Sequence, residues 1–173
     1  NFVPTTSTTN QLALGDAIAI ACMAAKKFGK IDFKKYHPSG SLGQKLRTVG
    51  DIMLTGNKVP FVSENITMKN ALKIISDKGL GVLLVRKNNT VTGILVDGDI
   101  KRISRKTIDF QRLKIKSVMK RNPMSIEMDT LAVKALEIMN TNRITSLCVH
   151  KGKQRKKTIG IIHIHNILHA NIS

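Results

Sequence analysis

The sequence predicts a mixed α/β fold made of two successive strand–helix–strand–strand–helix repeats, preceded by an apolar helix and a loop of different character. Three observations predict it. Residues from about 49 to 103 are echoed by residues from about 115 to 169, and self-similarity at a fixed spacing marks duplicated units. Each copy carries one helical stripe: Met68, Ala71, Leu72 and Ile75 in the first, Ala132, Ala135, Leu136 and Met139 in the second. Both have the i, i+3, i+4, i+7 spacing that sets four apolar side chains on one helix face. Each stripe then leads into two short apolar runs that read as strands.

The repeats begin with matching phrases, Asp51-Ile52-Met53 and Ser117-Val118-Met119. Thr67 and Thr130 stand near the helix starts, where a hydroxyl can cap free backbone N–H groups. The first strands are Gly81 to Val85 and Ser146 to Val149. Asn88-Asn89 makes a two-residue reversal in the first copy, and the longer loop from Lys151 to Lys157 takes its place in the second. The return strands run from Val91 to Val96 and from Ile159 to His163, each with a glycine, Gly93 or Gly160, before an aliphatic pair. Short helices close the units, Asp99 to Ser104 and Asn166 to Ala170. Neither copy is large enough to cover both its sheet and its helix stripe, so the two are expected to pack as a pseudo-symmetric pair.

Upstream the character changes. The hydroxyl run Pro4 to Asn10 feeds a helix expected from about Gln11 to Phe28, apolar on most of its circumference (Leu12, Leu14, Ala17, Ile18, Ile20, Met23). Such a helix calls for burial on several sides, and nothing in the next forty residues supplies a sheet to cover it. The chain does not begin with Met, and the expectation is that the covering sheet belongs upstream of Asn1. A glycine-rich loop, Tyr36 to Gly43, and the basic connector Gln44 to Arg47 lead into the first repeat.

Composition narrows the function classes. Aromatic residues are scarce, so Ile, Leu, Val and Met fill the interior. Cys22 and Cys148 sit in apolar patterns and read as reduced core thiols of a cytoplasmic protein, with no disulfide framework and no metal site. The best apolar run, Ala17 to Ala25, is about half the length a spanning helix needs. No membrane association is expected. The formal charge of +18 invites a nucleic-acid reading. The Lys and Arg residues are nevertheless spread through nearly every segment, with no recognition motif and almost no stacking aromatics, so a solvated basic surface is expected instead.

Three features now meet: Pro4 to Thr9 followed by Gly15-Asp16-Ala17; His37-Pro38-Ser39-Gly40-Ser41-Leu42-Gly43; and the doubled unit with Asp97-Gly98-Asp99-Ile100-Lys101-Arg102 and Arg143-Ile144-Thr145-Ser146. In this order they resemble the arabinose-5-phosphate isomerases, in which a Rossmann-like sugar-isomerase (SIS) domain is followed by two CBS motifs. The resemblance implies residues 1–46 as the C-terminal remnant of the SIS domain, 47–108 as CBS motif 1 and 109–173 as CBS motif 2. It implies aldose–ketose isomerisation of D-arabinose 5-phosphate to D-ribulose 5-phosphate on the way to Kdo and lipopolysaccharide, a sugar phosphate as substrate, and no required cofactor. It also implies a homo-oligomer, a tetramer in the family and a dimer for a portion lacking most of the SIS domain.

His37 matches the family's catalytic histidine, and imidazole suits a proton transfer near neutrality. The remaining catalytic groups of the family have no counterpart in this sequence, so the chain by itself is expected to be inactive. Ser7, Thr8 and Thr9 either contact phosphate before a helix N-terminus or serve as caps and turn residues. The resemblance implies a structural or oligomerising role for the CBS pair, or else regulation by an adenine nucleotide or nucleotide-sugar in the cleft between modules, for which the family's pattern is Gly-aliphatic-aliphatic-Thr/Ser-x-x-Asp. The first copy keeps the carboxylate as Asp99 but has Val96 at the hydroxyl position; the second has His163 and Asn166. Asp99 is read equally as a ribose acceptor and as a helix N-terminal charge. His163 and His165 are expected to diverge, leaving no metal pair, and His150 and His169 to lie at the surface. The rival reading is a stand-alone CBS pair that binds nucleotide without catalysis.

Overall fold

A computed structural model describes residues 3–29, 32–33, 36, 41–88, 90–106, 108–152 and 157–172. The chain divides into two compact units, Asn1–Leu46 and Arg47–Ser173.

The first unit is dominated by α1 (Thr5–Ala25). The helix starts six residues before the expected Gln11 because the hydroxyl run is itself helical. Ser7 donates to Pro4 O at 3.0 Å, Thr8 to Pro4 O and Thr5 O, and Thr9 to Thr5 O at 2.9 Å. Folding their hydroxyls back onto carbonyls three and four residues earlier lets these residues sit inside a helix. No residue of α1 is buried; Leu12 is 72 % exposed and Ile20 66 %. Cys22, expected in a core, is exposed with the rest of the helix. A short helix, α2 (Ser41–Lys45), ends the unit. Among the described residues no helix is long and apolar enough to cross a membrane.

The second unit contains α3 (Val49–Ile52), β1 (Leu54–Thr55), β2 (Phe61–Ser63), α4 (Met68–Lys78), β3 (Val82–Lys87), β4 (Thr90–Val96) and α5 (Asp97–Ser104). The second copy follows with β5 (Lys120–Arg121), β6 (Ser125–Glu127), α6 (Ala132–Asn142), β7 (Ser146–His150), β8 (Thr158–His163) and α7 (Ile164–His169). The predicted stripes are the buried faces: Met68, Ala71 and Ile75 on α4, and Ala132, Ala135 and Met139 on α6. Leu72 and Leu136 pack at their edges. The hydroxyl caps do not form. Thr67 holds the N-cap position of α4 without a side-chain bond, and Leu131, not Thr130, is the N-cap of α6.

What caps these helices is the opposite repeat. Met68 N donates to Leu113 O and Ala132 N donates to Arg47 O, each at 2.8 Å. Each acceptor lies just before the start of the other copy. The exchange continues in pairs: Val49 N to Thr130 O and Gly50 N to Met128 O on one side, Ile115 N to Ile66 O and Lys116 N to Glu64 O on the other. It ends in the sheets, whose orders are β2-β3-β4-β5 and β1-β8-β7-β6. The leading strand of each copy therefore completes the other copy's sheet, β1 against β8 and β5 against β4, both antiparallel. Each repeat lends an arm to its twin. The expected pseudo-symmetric pair is present, with a tighter coupling than side-by-side packing.

Three cores result. One lies between α4, α5 and their sheet and takes in Ile115 from the second copy's arm. Its twin lies under α6 and α7 and takes in Val49 from the first copy's arm. The third joins the sheets face to face through Val82, Leu84, Val91, Cys148 and Ile161. Strand alternation makes this possible: Leu83 and Val85 face the helices while Val82 and Leu84 face the other sheet. Burial pushes the Cys148 thiol up to about 12, with a Thr158 hydrogen bond only partly offsetting it.

Candidate functional site

The sheets and closing helices leave a cleft of about 810 Å³ inside the second unit, well within the size range of small-ligand sites. Both copies build it in parallel. The turn after α4 (Gly79-Leu80-Gly81) faces the turn after α6 (Arg143-Ile144-Thr145), and the start of α5 faces the start of α7. Matching backbone bonds fix these turns: Asp97 N donates to Gly81 O at 3.0 Å and Ile164 N to Thr145 O at 2.8 Å. Gly81, at φ +63°, cannot be replaced cheaply, since a Cβ there would lie 2.7 Å from Asp97 Oδ2.

Asp99 is buried, with 6 % of its surface exposed, and stands in the first turn of α5. Its Oδ1 pairs with Arg102 one turn on and with Lys120 Nζ at 3.2 Å, a residue contributed by the second copy's arm. Its Oδ2 is buried with no hydrogen-bond partner among the described residues. An orphaned carboxylate oxygen is expensive to leave so; the residue lines the cleft, but this oxygen itself has almost no exposed surface. Val96, the N-cap of α5, borders the same space and offers only an aliphatic surface.

Across the cleft the second copy places His163 and His165. The expectation that they diverge is corrected: both line the cleft, with ring centroids 4.9 Å apart. His163 is the last residue of β8 and His165 the second of α7, so strand geometry does not govern the pair. His163 Nδ1 accepts from the His165 backbone N–H at 3.3 Å, which leaves Nε2 as the protonated nitrogen. Burial, and the neighbouring His165, hold its pKa below the ordinary value. No group of three or more metal-binding side chains forms among the described residues. His150 is also corrected: it is buried, and its Nδ1 donates to Gly152 O at 2.8 Å. His169 is exposed.

The remaining charged lining is cationic: Arg121 and Arg143, beside the Arg102 and Lys120 already engaged with Asp99, against the carboxylates Asp97 and Asp99. The cleft is thus an aliphatic slot (Ile94, Val96, Ile144) with a basic rim and the buried Asp99 carboxylate in its lining. Sequence reasoning found Asp99 and Val96 but not Arg121, Arg143 or Lys120 as neighbours. The duplication held the signal, because Arg143 occupies the position of Gly79 in the first copy. The predicted catalytic residue His37 lies outside the described residues, and Ser7, Thr8 and Thr9 belong to the first unit, where their hydroxyls are committed to helix carbonyls.

A model of the CBS domain family matches residues 49–106 and 115–173. Among curated proteins the chain is similar to arabinose 5-phosphate isomerase KdsD of Francisella tularensis, 43% identical over 170 residues, 97% of this chain and 51% of that protein. KdsD of Yersinia pestis is 39% identical over 173 residues, 99% of this chain and 52% of that protein. The chain spans about half the length of the curated relatives it matches. Among solved structures, CBSX2 in complex with AMP matches with a TM-score of 0.63 and 21% identity, covering 72% of this chain and 96% of that one. The CBS domain pair of protein MJ0100, in complex with 5′-methylthioadenosine and S-adenosyl-L-methionine, matches with a TM-score of 0.62 and 19% identity, covering 72% and 94%.

Proposed function

The chain belongs to the CBS-domain family and is similar along nearly all its length to about half of an arabinose 5-phosphate isomerase, and from that premise we propose that it is the CBS-bearing portion of such an isomerase. The observation that carries this is the reach of the similarity. Identity of 37–43% extends over 97–99% of the chain, so it includes most of the first unit, which the CBS match leaves out. A bare CBS module would give no reason for those residues to resemble a sugar-phosphate enzyme.

In this reading residues 1–46 close the sugar-isomerase domain, and α1 is apolar all round because that domain covers it. His37 is the acid/base that moves a proton between C2 and C1 of the open-chain pentose phosphate. The enzyme interconverts D-arabinose 5-phosphate and D-ribulose 5-phosphate in the cytoplasm, as a homo-oligomer supplying Kdo for lipopolysaccharide. The CBS pair, residues 47–108 and 109–173, serves regulation or assembly, and its cleft takes an adenine nucleotide or a nucleotide-sugar with a hydroxyl on the Asp99 carboxylate. Two neighbours of the same fold are in complex with adenosine compounds, which supports the class of ligand. Solvation of an exposed Lys-rich surface accounts for the charge without a nucleic-acid partner.

The test is a coupled assay of ribulose 5-phosphate formation. The polypeptide from the complete reading frame is expected to turn over, His37→Ala in it to lose activity by at least a hundredfold, and residues 1–173 alone to be silent. A second reading, a stand-alone regulatory CBS pair, draws on the second unit's having its own three cores. It is favoured if the complete frame carries no isomerase activity.

A further inference from the structure

Arg143 holds a backbone conformation that its side chain makes unfavourable. Its φ is +52° and it is the C-cap of α6 in the left-handed region. The first copy solves the same problem with Gly79, at φ +63°, which has no Cβ and so bears no steric cost there. Among the described residues the other non-glycine positions at positive φ are Asn88, Asn122 and Asn171, asparagines that tolerate that region, and Lys27 in the first unit. Among the described residues of the second unit the arginine stands apart from the asparagines, and the twin repeat shows the chain can end this helix with glycine. A side chain kept at a strained position is best explained by what the side chain does.

Its surroundings say what that is. Arg143 lines the cleft and its guanidinium, like that of Arg121, has no hydrogen-bond or ion-pair partner among the described residues. Arg102 and Lys120, by contrast, are held by Asp99. Two arginines with unengaged guanidiniums therefore line the slot together with the buried Asp99 carboxylate. A ligand that satisfies both ends must carry a planar or tetrahedral anion for the guanidiniums and a hydroxyl for Asp99, and phosphate matches the guanidinium fork best.

We propose that Arg143 is the specificity-determining residue of the cleft, which with Arg121 clamps the phosphate of a phosphorylated, hydroxyl-bearing ligand. This rests on the reading of the cleft as a ligand site and adds that phosphate is required for binding. The first copy's Gly79 supplies no such contact, so the clamp is one-sided and belongs to the second copy.

Calorimetric titration of residues 1–173 at low salt tests this with inorganic pyrophosphate, AMP and adenosine as probes. The wild type is expected to bind pyrophosphate, and to bind AMP more tightly than adenosine. Arg143→Gly should weaken pyrophosphate and AMP by about tenfold or more, the usual worth of a charge-assisted contact, and leave adenosine unchanged. Its thermal midpoint should equal or exceed that of the wild type, since glycine relieves the strained φ. Arg143→Lys should recover part of the phosphate dependence. If Arg143→Gly binds both anions as the wild type does, or melts lower, the residue is a helix cap and the inference falls while the cleft remains a ligand site. A wild type that binds adenosine but neither anion overturns the clamp alone, and one that binds none of the three overturns the ligand-site reading as well.

Discussion

Replacing Gly160 by Ala should loosen the arm that the first repeat lends to the second. Gly160 pairs with Thr55 across the β1–β8 ladder. A Cβ there would sit 2.6 Å from the Leu54 carbonyl oxygen and 3.0 Å from Met53 Sδ. The carbonyl is backbone and cannot swing aside, so β1 itself must shift. Overpacking of this kind costs about 1–3 kcal/mol, and the lower unfolded-chain entropy of Ala returns about 0.4–1 kcal/mol. The net expectation is a loss of about 1–2 kcal/mol. At about 3–5 °C per kcal/mol for a domain of this size, the thermal midpoint should fall by about 3–10 °C. Gly93→Ala provides the internal control. There the nearest group is the flexible Met119 thioether, with Lys120 O at 3.0 Å, so the loss should be about 1 kcal/mol or less. Thermal unfolding followed by circular dichroism measures both. Equal midpoints for wild type and Gly160→Ala would refute the arm exchange, because without β1 on β8 nothing crowds that glycine.

Other outcomes follow from burial and charge. In folded residues 1–173 Cys22 should react with a thiol reagent at once, while Cys148, buried and with its thiol pushed up to about 12, should label only on unfolding. The depressed pKa of His163 gives a pH dependence of known sign. Below the ordinary value of 6.5 the unfolded chain takes up a proton before the native state does, so stability falls as pH drops from about 7 through 6.5 towards the folded pKa. His163→Gln should flatten that slope in denaturant titrations run across the same window. Pyrophosphate titration of Arg143→Gly reads out the phosphate clamp.

Much of the second unit was legible because its signals are local. The stripes Met68-Ala71-Ile75 and Ala132-Ala135-Met139 are buried as their spacing requires. The paired strands end within two residues of expectation, because alternation and bounding glycines are short-range features. The arm exchange was not legible. That Leu54 faces Ile161 and Lys120 faces Ile94 depends on contacts between residues far apart in the chain. The same reason hid Thr67 and Thr130: backbone carbonyls of Leu113 and Arg47, drawn from the other copy, already cap those helices. In α1 the hydroxyl run misled because serine and threonine suit a helix N-terminus and can equally bond back within it. Asp99 and Val96 were singled out through their pattern, and both line the cleft. His163 and His165 were misjudged because a strand turns into a helix between them, and Arg143 escaped because its meaning appears only beside Gly79.

The most direct measurement is isomerase turnover by the complete reading frame that contains these residues, assayed beside residues 1–173 with arabinose 5-phosphate. The account predicts ribulose 5-phosphate from the former, lost with His37→Ala, and none from the latter. Turnover by residues 1–173 alone, or none from the complete protein, would contradict it.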